Sequence, residues 1–483
     1  MKNVRKGAVA LFTILVLGAS LGNLSQTALN AMLPTVLLDF DVGVDIGQWL
    51  ATIYMLALGI AVPLTSFLTK RIPERAYALM SLGIFFAGAV LDAVAPWFWM
   101  LVLGRVFQAV SAGFMMPVMQ NIAIAHFPRE RHGTMMGIAG IAMGFAPNIG
   151  PTIGSLFAVG LGWRWFFVVL LVLPAILIAC TLVFVKKDSG LEELAPVKLD
   201  VRSFILSAIG FGGVLAGLTE SSSRGLSSPF VWIALVIGVV VLVVFLRRQR
   251  KVDNPLINLD IFKSSNYRTA FWMQNLLFGS FMGITLLIPL YIQGPLGGTP
   301  VDAGIVLLPG AIVALVVNPL AGIIGDRIGK ERVIRVSAII FLIGALLALL
   351  FDENTPLWAI AAAQAVRGVG ISASMGCTIT WMLRELPRPL IGDGSSFSIL
   401  VRQACASLGT AVMVLIFTAI AEISPGMLGY QVAFAFSALL AAVMLVMAYS
   451  KVREPKGEIL SEETVHGEAP RGEAPQGSNP QGE

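Results

Sequence analysis

The chain has 483 residues, of which 57% are hydrophobic and 13% charged, and its mean hydropathy is +0.84. That is more apolar surface than a soluble core can hide, so the fold class expected is an all-α, polytopic membrane protein. The net charge of +5 is then no sign of a nucleic-acid partner; what matters is on which side of the membrane the cations fall.

Taken in order, with about 20 apolar residues per helical crossing, the sequence predicts fourteen spans. They lie near residues 8–37, 47–68, 76–94, 97–126, 133–159, 163–185, 201–220, 229–246, 269–292, 303–323, 334–351, 356–382, 394–420 and 429–449. The first follows Lys2, Arg5 and Lys6 and runs well beyond a signal-peptide core, so it is read as an uncleaved span. Cations gather in alternate loops: Lys70, Arg71 and Arg75; Arg129 and Arg131; Lys186, Lys187 and Lys198; Arg247 to Arg268; Arg327 to Arg335; Arg384 and Arg388. The opposite loops hold Arg164 and Arg224 with the acids Asp39, Asp41, Asp45, Asp352 and Glu353. The positive-inside rule then places both termini in the cytoplasm.

A weak internal repeat relates the two halves, as in transporters built from duplicated bundles. Pro63 to Arg75 corresponds to Pro319 to Arg332, and Leu103-Gly104-Arg105 is echoed by Ala365-Val366-Arg367-Gly368-Val369-Gly370. The expected organisation is an N-terminal six-helix bundle over residues 1–185, linkers with two inserted spans over 186–268, and a second six-helix bundle over 269–450. A cytoplasmic tail over 451–483, rich in Gly, Pro, Glu and Gln, is expected to be disordered.

The densest charge lies at residues 318–332, where Gly322, Gly325 and Gly329 permit tight turns and Asp326 sits among Arg327, Lys330 and Arg332. It is not a phosphate loop: three residues, not four, separate Gly325 from Gly329, and Glu331 follows Lys330. Within the spans, Arg105, Arg367 and Arg402 are expensive in hydrocarbon and should face the protein interior. The plainer alternative is a snorkelling or helix-tying arginine, especially for Arg402, placed close to the start of its span. Gly140, Gly144, Gly150, Pro151 and Gly154 allow close helix approach while Pro147 and Pro151 bend the span; tight packing alone is the simple reading.

The run from Gly322 to Arg332 resembles the cytoplasmic signature loop of the major facilitator superfamily. Arg105 resembles its fourth-helix arginine, whose implied role is proton coupling. Residues Gly140 to Gly154 resemble its fifth-helix antiporter motif, with Ser155 where a further Gly is usual. Thr27 to Pro34, Pro289 to Gly310 and Arg402 to Gly409 sharpen the likeness to the fourteen-span drug:proton antiporters. The resemblance implies two six-helix bundles plus two central helices, with Arg105, Gly322, Asp326, Arg327, Gly329 and Arg332 in coupling and conformational switching. Two departures stand out: Ser25 where the first-helix motif carries Asp, and Ser66, Lys70 and Pro73 where the first signature loop carries Gly, Asp and Gly.

A central cavity should draw on a minority of the polar Gln26, Asn30, Gln120, Asn121, Asn148, Gln274, Asn275 and Gln364 and the adaptable Phe114, Met115, Met116, Trp272, Met273 and Phe278. Trp97, Trp99, Trp163 and Trp165 read as interfacial anchors. Asp92 and Glu220, at span ends near the outer face, read as solvated acids, so transport should tolerate loss of either and depend more on Arg105. Without a deep carboxylate, neutral or weakly charged amphipathic substrates are favoured over dications. The expectation is an exporter of hydrophobic or amphipathic small molecules in the cell membrane, driven by the proton gradient without cofactor or metal. The alternatives are a specific metabolite or lipid transporter and, from another class, a membrane receptor or scaffold. An enzyme is disfavoured, because the three histidines, His126, His132 and His466, form no nucleophile-and-base or metal-ligand pattern.

Overall fold

The computed structural model describes residues 6–47, 49–185, 200–224, 228–252, 255–423 and 426–452. Lys2, Arg5, the linker cations Lys186, Lys187 and Lys198, and the tail expected to be disordered lie outside the described residues. In hydrocarbon every backbone group must be satisfied within the chain, and the apolar runs accordingly form helices. Among the described residues twelve are long and apolar enough to cross a membrane, and one broken helix and one more polar helix complete the predicted fourteen.

The first half comprises α1 (Lys6–Phe40), a short α2 (Val44–Gly47), α3 (Trp49–Thr69), α4 (Glu74–Val94), α5 (Phe98–Ala125), a broken fifth span and α8 (Trp163–Phe184). That fifth span is α6 (His132–Gly140), a π turn over Ile141–Phe145 and α7 (Ala146–Val159). Pro147 and Pro151 have no N–H to offer the preceding turn, and the Asn23 side-chain amide donates instead to the Ala142 carbonyl within the π turn at 2.7 Å. The second half comprises α11 (Ser265–Gln293), α12 (Pro300–Ile328), α13 (Lys330–Leu347), α14 (Leu357–Leu383), α15 (Arg388–Ile423) and α16 (Leu428–Lys451). The more polar span is α14, an unbroken helix that carries buried Gln364, Arg367, Ser372, Ser374, Thr378 and Thr380.

The halves meet where α6 lies against α12 and α14 and where α15 lies against α3 and α5. The inserted pair, α9 (Val201–Arg224) and α10 (Pro229–Gln249), forms a tight hairpin. A Cβ on Gly213 would fall 2.9 Å from the Gly238 Cα, so the two backbones touch. α9 rests on both α3 and α15 and so bridges the halves at their seam.

Three expectations need correction. Trp163 is only 3% exposed, because its indole N–H reaches Asp39 at 3.1 Å; Trp97, Trp99 and Trp165 are exposed. Arg402 lies well inside α15, which begins at Arg388, and its guanidinium stacks on Phe278 at 4.6 Å. Trp272 points outward, at 56% exposed.

Candidate functional site

A cavity lies between the halves. Gly144 and Asn148 form one wall, and Phe281, Thr285, Leu307, Gly310, Gln364, Arg367, Ile371, Ser372 and Met375 form most of the other. Of the predicted cavity residues, Asn148 and Gln364 line it. Gln26 is half-buried on α1 and Asn30 is exposed. Phe114 packs on Tyr77 with ring centroids 6.0 Å apart, and Met115 fills the space left by Gly18 on α1. Gln274 donates to the Met375 carbonyl at 3.0 Å and so ties α11 to α14, while Asn275 donates back to the Phe271 carbonyl of its own helix at 2.9 Å; neither lines the cavity. Arg367, Thr285 and Ser372 are cavity residues that the sequence reading did not place there. The available signal was the repeat that sets Arg367 opposite Arg105.

The glycines of the fifth span face two ways. Cβ atoms on Gly140 and Gly144 would meet the Asn318 side chain of α12 at 2.6 and 3.1 Å, whereas on Gly150 and Gly154 they would collide with Thr27 and Ala28 of α1. The π turn between them rotates the helix face, so one motif serves the contact between halves and the packing within the first half. Pro151 lies one turn into α7.

Arg105 is fully buried on α5. Its Nη1 donates to the Ser25 hydroxyl at 2.6 Å, the Ser25 carbonyl at 3.2 Å and Gln108 Oε1 at 2.9 Å, and the guanidinium lies 4.2 Å over Tyr54. The Ser25 hydroxyl itself donates to Gln108 Oε1 at 2.6 Å. Beside this cage stands Asp92, fully buried and an electrostatic neighbour of Arg105. Gly88 on α4 and Gly104 on α5 bring the two helices together, which seats Asp92, one turn after Gly88, over Gly104, beside the arginine's position on α5. Both Asp92 carboxylate oxygens lack a hydrogen-bond partner, as do Arg105 Nε and Nη2 and Gln108 Nε2. Asp92 is therefore not a solvated loop-end acid, and Glu220, 5% exposed, is not one either.

At the end that carries the basic loops, the halves are latched twice. Asp326, on the last turn of α12, accepts from Gly133 N at 2.8 Å, Thr134 N at 2.6 Å and the Thr134 hydroxyl at 2.7 Å, all at the N-terminus of α6. Lys330 pairs with it at 3.1 Å, so the carboxylate meets a cation and the positive end of a helix together. Gly322 packs on the Gly133 carbonyl too closely for a Cβ. Gly329, at φ +96°, makes the left-handed turn into α13. Arg327 and Arg332 are exposed and point away from this latch. In the second latch the Ser66 hydroxyl of α3 donates to Asp393 of α15, which also accepts from Asn258 N at 3.1 Å, with Lys70 as an electrostatic neighbour. At the opposite end the described ties stay within a half: Arg164 and Trp163 hold Asp39, and the Tyr291 hydroxyl donates to the Asp352 carbonyl at 2.6 Å.

The comparisons with known proteins agree with this architecture. The uncharacterized MFS-type transporter YcnB of Bacillus subtilis is 36% identical over 402 residues, covering 83% of this chain and 84% of its own. The lincomycin resistance protein LmrB of the same organism is 33% identical and covers 84% of each chain. The crystal structure of the human organic anion transporter MFSD10 superposes with a TM-score of 0.66 over 91% of this chain and 99% of its own; at 15% identity it shares the fold and nothing finer. The Major Facilitator Superfamily profile matches residues 15–410, and the chain belongs to that superfamily of membrane transporters.

Proposed function

We propose that the chain exports hydrophobic and amphipathic small molecules in exchange for protons, by rocking its two halves about the central cavity. The observation that carries the coupling is Asp92, a buried carboxylate without a hydrogen-bond donor beside a caged arginine. A carboxylate in such a place can take up and release a proton, and the guanidinium beside it would feel each change of charge. It supplies the titrating acid that Ser25 does not. The Asp92–Arg105–Ser25–Gln108 cluster links α1, α4 and α5, so a change of charge there alters how three helices of one half pack. Asp326, Gly322 and Gly329, with the second latch, hold one conformation. With the basic loops and both termini taken as cytoplasmic, that conformation is closed to the cytoplasm. The cavity mixes Phe281, Leu307, Ile371 and Met375 with a few amides and hydroxyls, which suits amphipathic ligands, and the relative LmrB is named for resistance to a drug, lincomycin.

Reconstituted into vesicles, the protein should move a hydrophobic fluorescent dye against its gradient when a pH gradient is imposed and stop when a protonophore collapses it. Dye movement indifferent to the protonophore would reject proton coupling. For orientation, a cysteine placed at Asp39 or Asp352 should react with an impermeant thiol reagent outside intact cells, and one at Arg129 or Lys251 should not.

A further inference from the structure

The cavity wall contains a cation that no described residue neutralises. Arg367 is 3% exposed, its Nε donates to Gln364 Oε1 at 3.1 Å, and its Nη1 has no hydrogen-bond partner. No acidic side chain lines the cavity, and among the described residues no carboxylate forms an ion pair with Arg367. Its backbone is fixed, because α13 approaches so closely that a Cβ on Gly344 would fall 2.5 Å from the Arg367 Cα. Unlike a snorkelling arginine, it sits midway along α14, lodged between that helix contact and the cavity. A buried guanidinium left unpaired is destabilising, and a ligand that brings its own negative charge relieves that strain on the fold. Ser372, one helical turn and one residue further along α14, adds a hydroxyl to the same wall, while Phe281, Ile371 and Met375 offer apolar surface.

We propose that the central cavity, which in this conformation has room for little more than a water molecule, opens as the halves rock into a subsite for amphipathic monoanions, in which the guanidinium of Arg367 binds a carboxylate or sulfonate and the apolar wall takes the hydrophobic body. The proposal rests on the reading of this cavity as the substrate site, and it narrows the substrates from neutral amphipaths to those bearing one acidic group. It is independent of the proton step, which belongs to the other arginine.

The test is binding, measured by calorimetry on the full-length protein in lipid nanodiscs with no gradient imposed. The probes are matched in shape: 2-naphthoate, its methyl ester and 2-naphthylmethylammonium at neutral pH. The expected result is that the anion binds roughly 10–100-fold more tightly than either partner. Arg367→Gln should bind anion and ester equally, and Arg367→Lys should keep part of the preference, since a lysine retains the charge but not the planar fork. Equal binding of all three probes to the wild type, preference for the ammonium, or no binding of the anion up to millimolar concentration would each overturn the proposal. So would an Arg367→Gln variant that still prefers the anion. The wild-type ranking stands even where a variant fails to fold. A protein that binds the anion but moves no dye would fail as an exporter while keeping this subsite.

Discussion

Arg105 on α5 and Arg367 on α14 occupy matching places in the two halves, yet their surroundings differ in every respect that matters to a charge. Arg105 has a serine, a glutamine, a tyrosine face and a neighbouring carboxylate, and it is sealed from the cavity. Arg367 has one glutamine, no carboxylate, and a place in the cavity wall. The surroundings, rather than the arginine, decide what each can do. A cation beside a titratable acid responds to protons; a cation beside a cavity responds to ligands. On the proposed reading, the repeat supplies two copies of one part, and the difference between their neighbours separates coupling from recognition.

The largest effects should come from breaking the first environment. Asp92→Asn preserves shape and removes the titrating group, so dye export should cease to respond to an imposed pH gradient while dye exchange at equal pH persists. Arg105→Lys keeps the charge but loses the forked contacts to Ser25 and Gln108, and a lost charge-assisted hydrogen bond of about 1.5–3 kcal/mol implies export at least roughly tenfold slower. Arg367→Gln should leave the response to the gradient in place. If Asp92→Asn keeps its gradient response, or Arg367→Gln loses it, the division of roles between the halves is wrong.

The spans were legible because hydrocarbon imposes one length and one composition on every crossing. The signature loop was legible because a turn of Gly322 and Gly329 around Asp326 leaves little structural freedom. Depth and direction were not. Asp92 stands two residues from the end of α4, which by hydropathy is the rim; what buries it is the close approach of Gly88 and Gly104 across two helices. Phe114 and Met115 belong to a helix buried on nearly every side, where a side chain facing packing and one facing a cavity carry the same sequence signal. Arg367 was visible as an intramembrane charge, but only the geometry of α14 distinguishes a cavity wall from a helix tie.

The two latches extend the comparison at smaller scale. Asp326→Asn loses the ion pair with Lys330 and weakens two backbone contacts, so transport should slow by roughly tenfold with membrane insertion unchanged. Asp393→Asn can keep its one oxygen toward Asn258 N and turn its amide N–H toward the Ser66 hydroxyl, which can accept, so its effect should be smaller. Export rates normalised to the protein in the membrane decide the order; an Asp393→Asn effect exceeding that of Asp326→Asn would reverse it.

The smallest effect tests why the first loop could dispense with its acid. Aligning Phe127-Pro128-Arg129 with Leu386-Pro387-Arg388 sets Gly133 opposite Gly392 and Thr134 opposite Asp393. In the same repeat Ser66 and Lys70 stand opposite Gly322 and Asp326. The acid has thus crossed the interface: one latch carries it on the loop helix, the other on the helix that the loop meets. Lys70→Asp alone would set two carboxylates near each other at the α3–α15 contact and loosen it. Lys70→Asp combined with Asp393→Thr would set the new acid opposite a threonine hydroxyl, as Asp326 faces Thr134, but residues 392 and 393 lie in the second turn of α15, which begins at Arg388, and offer no free backbone N–H. Without those two backbone donors, recovery should be partial. Lys70 is half-exposed, and a partly solvated pair contributes only about 0.2–1 kcal/mol, so the single change should alter export by no more than roughly fivefold and the double change should return most of it. A double variant slower than either single one would show that the second latch depends on the Ser66–Asp393 hydrogen bond itself and not on which helix carries the charge.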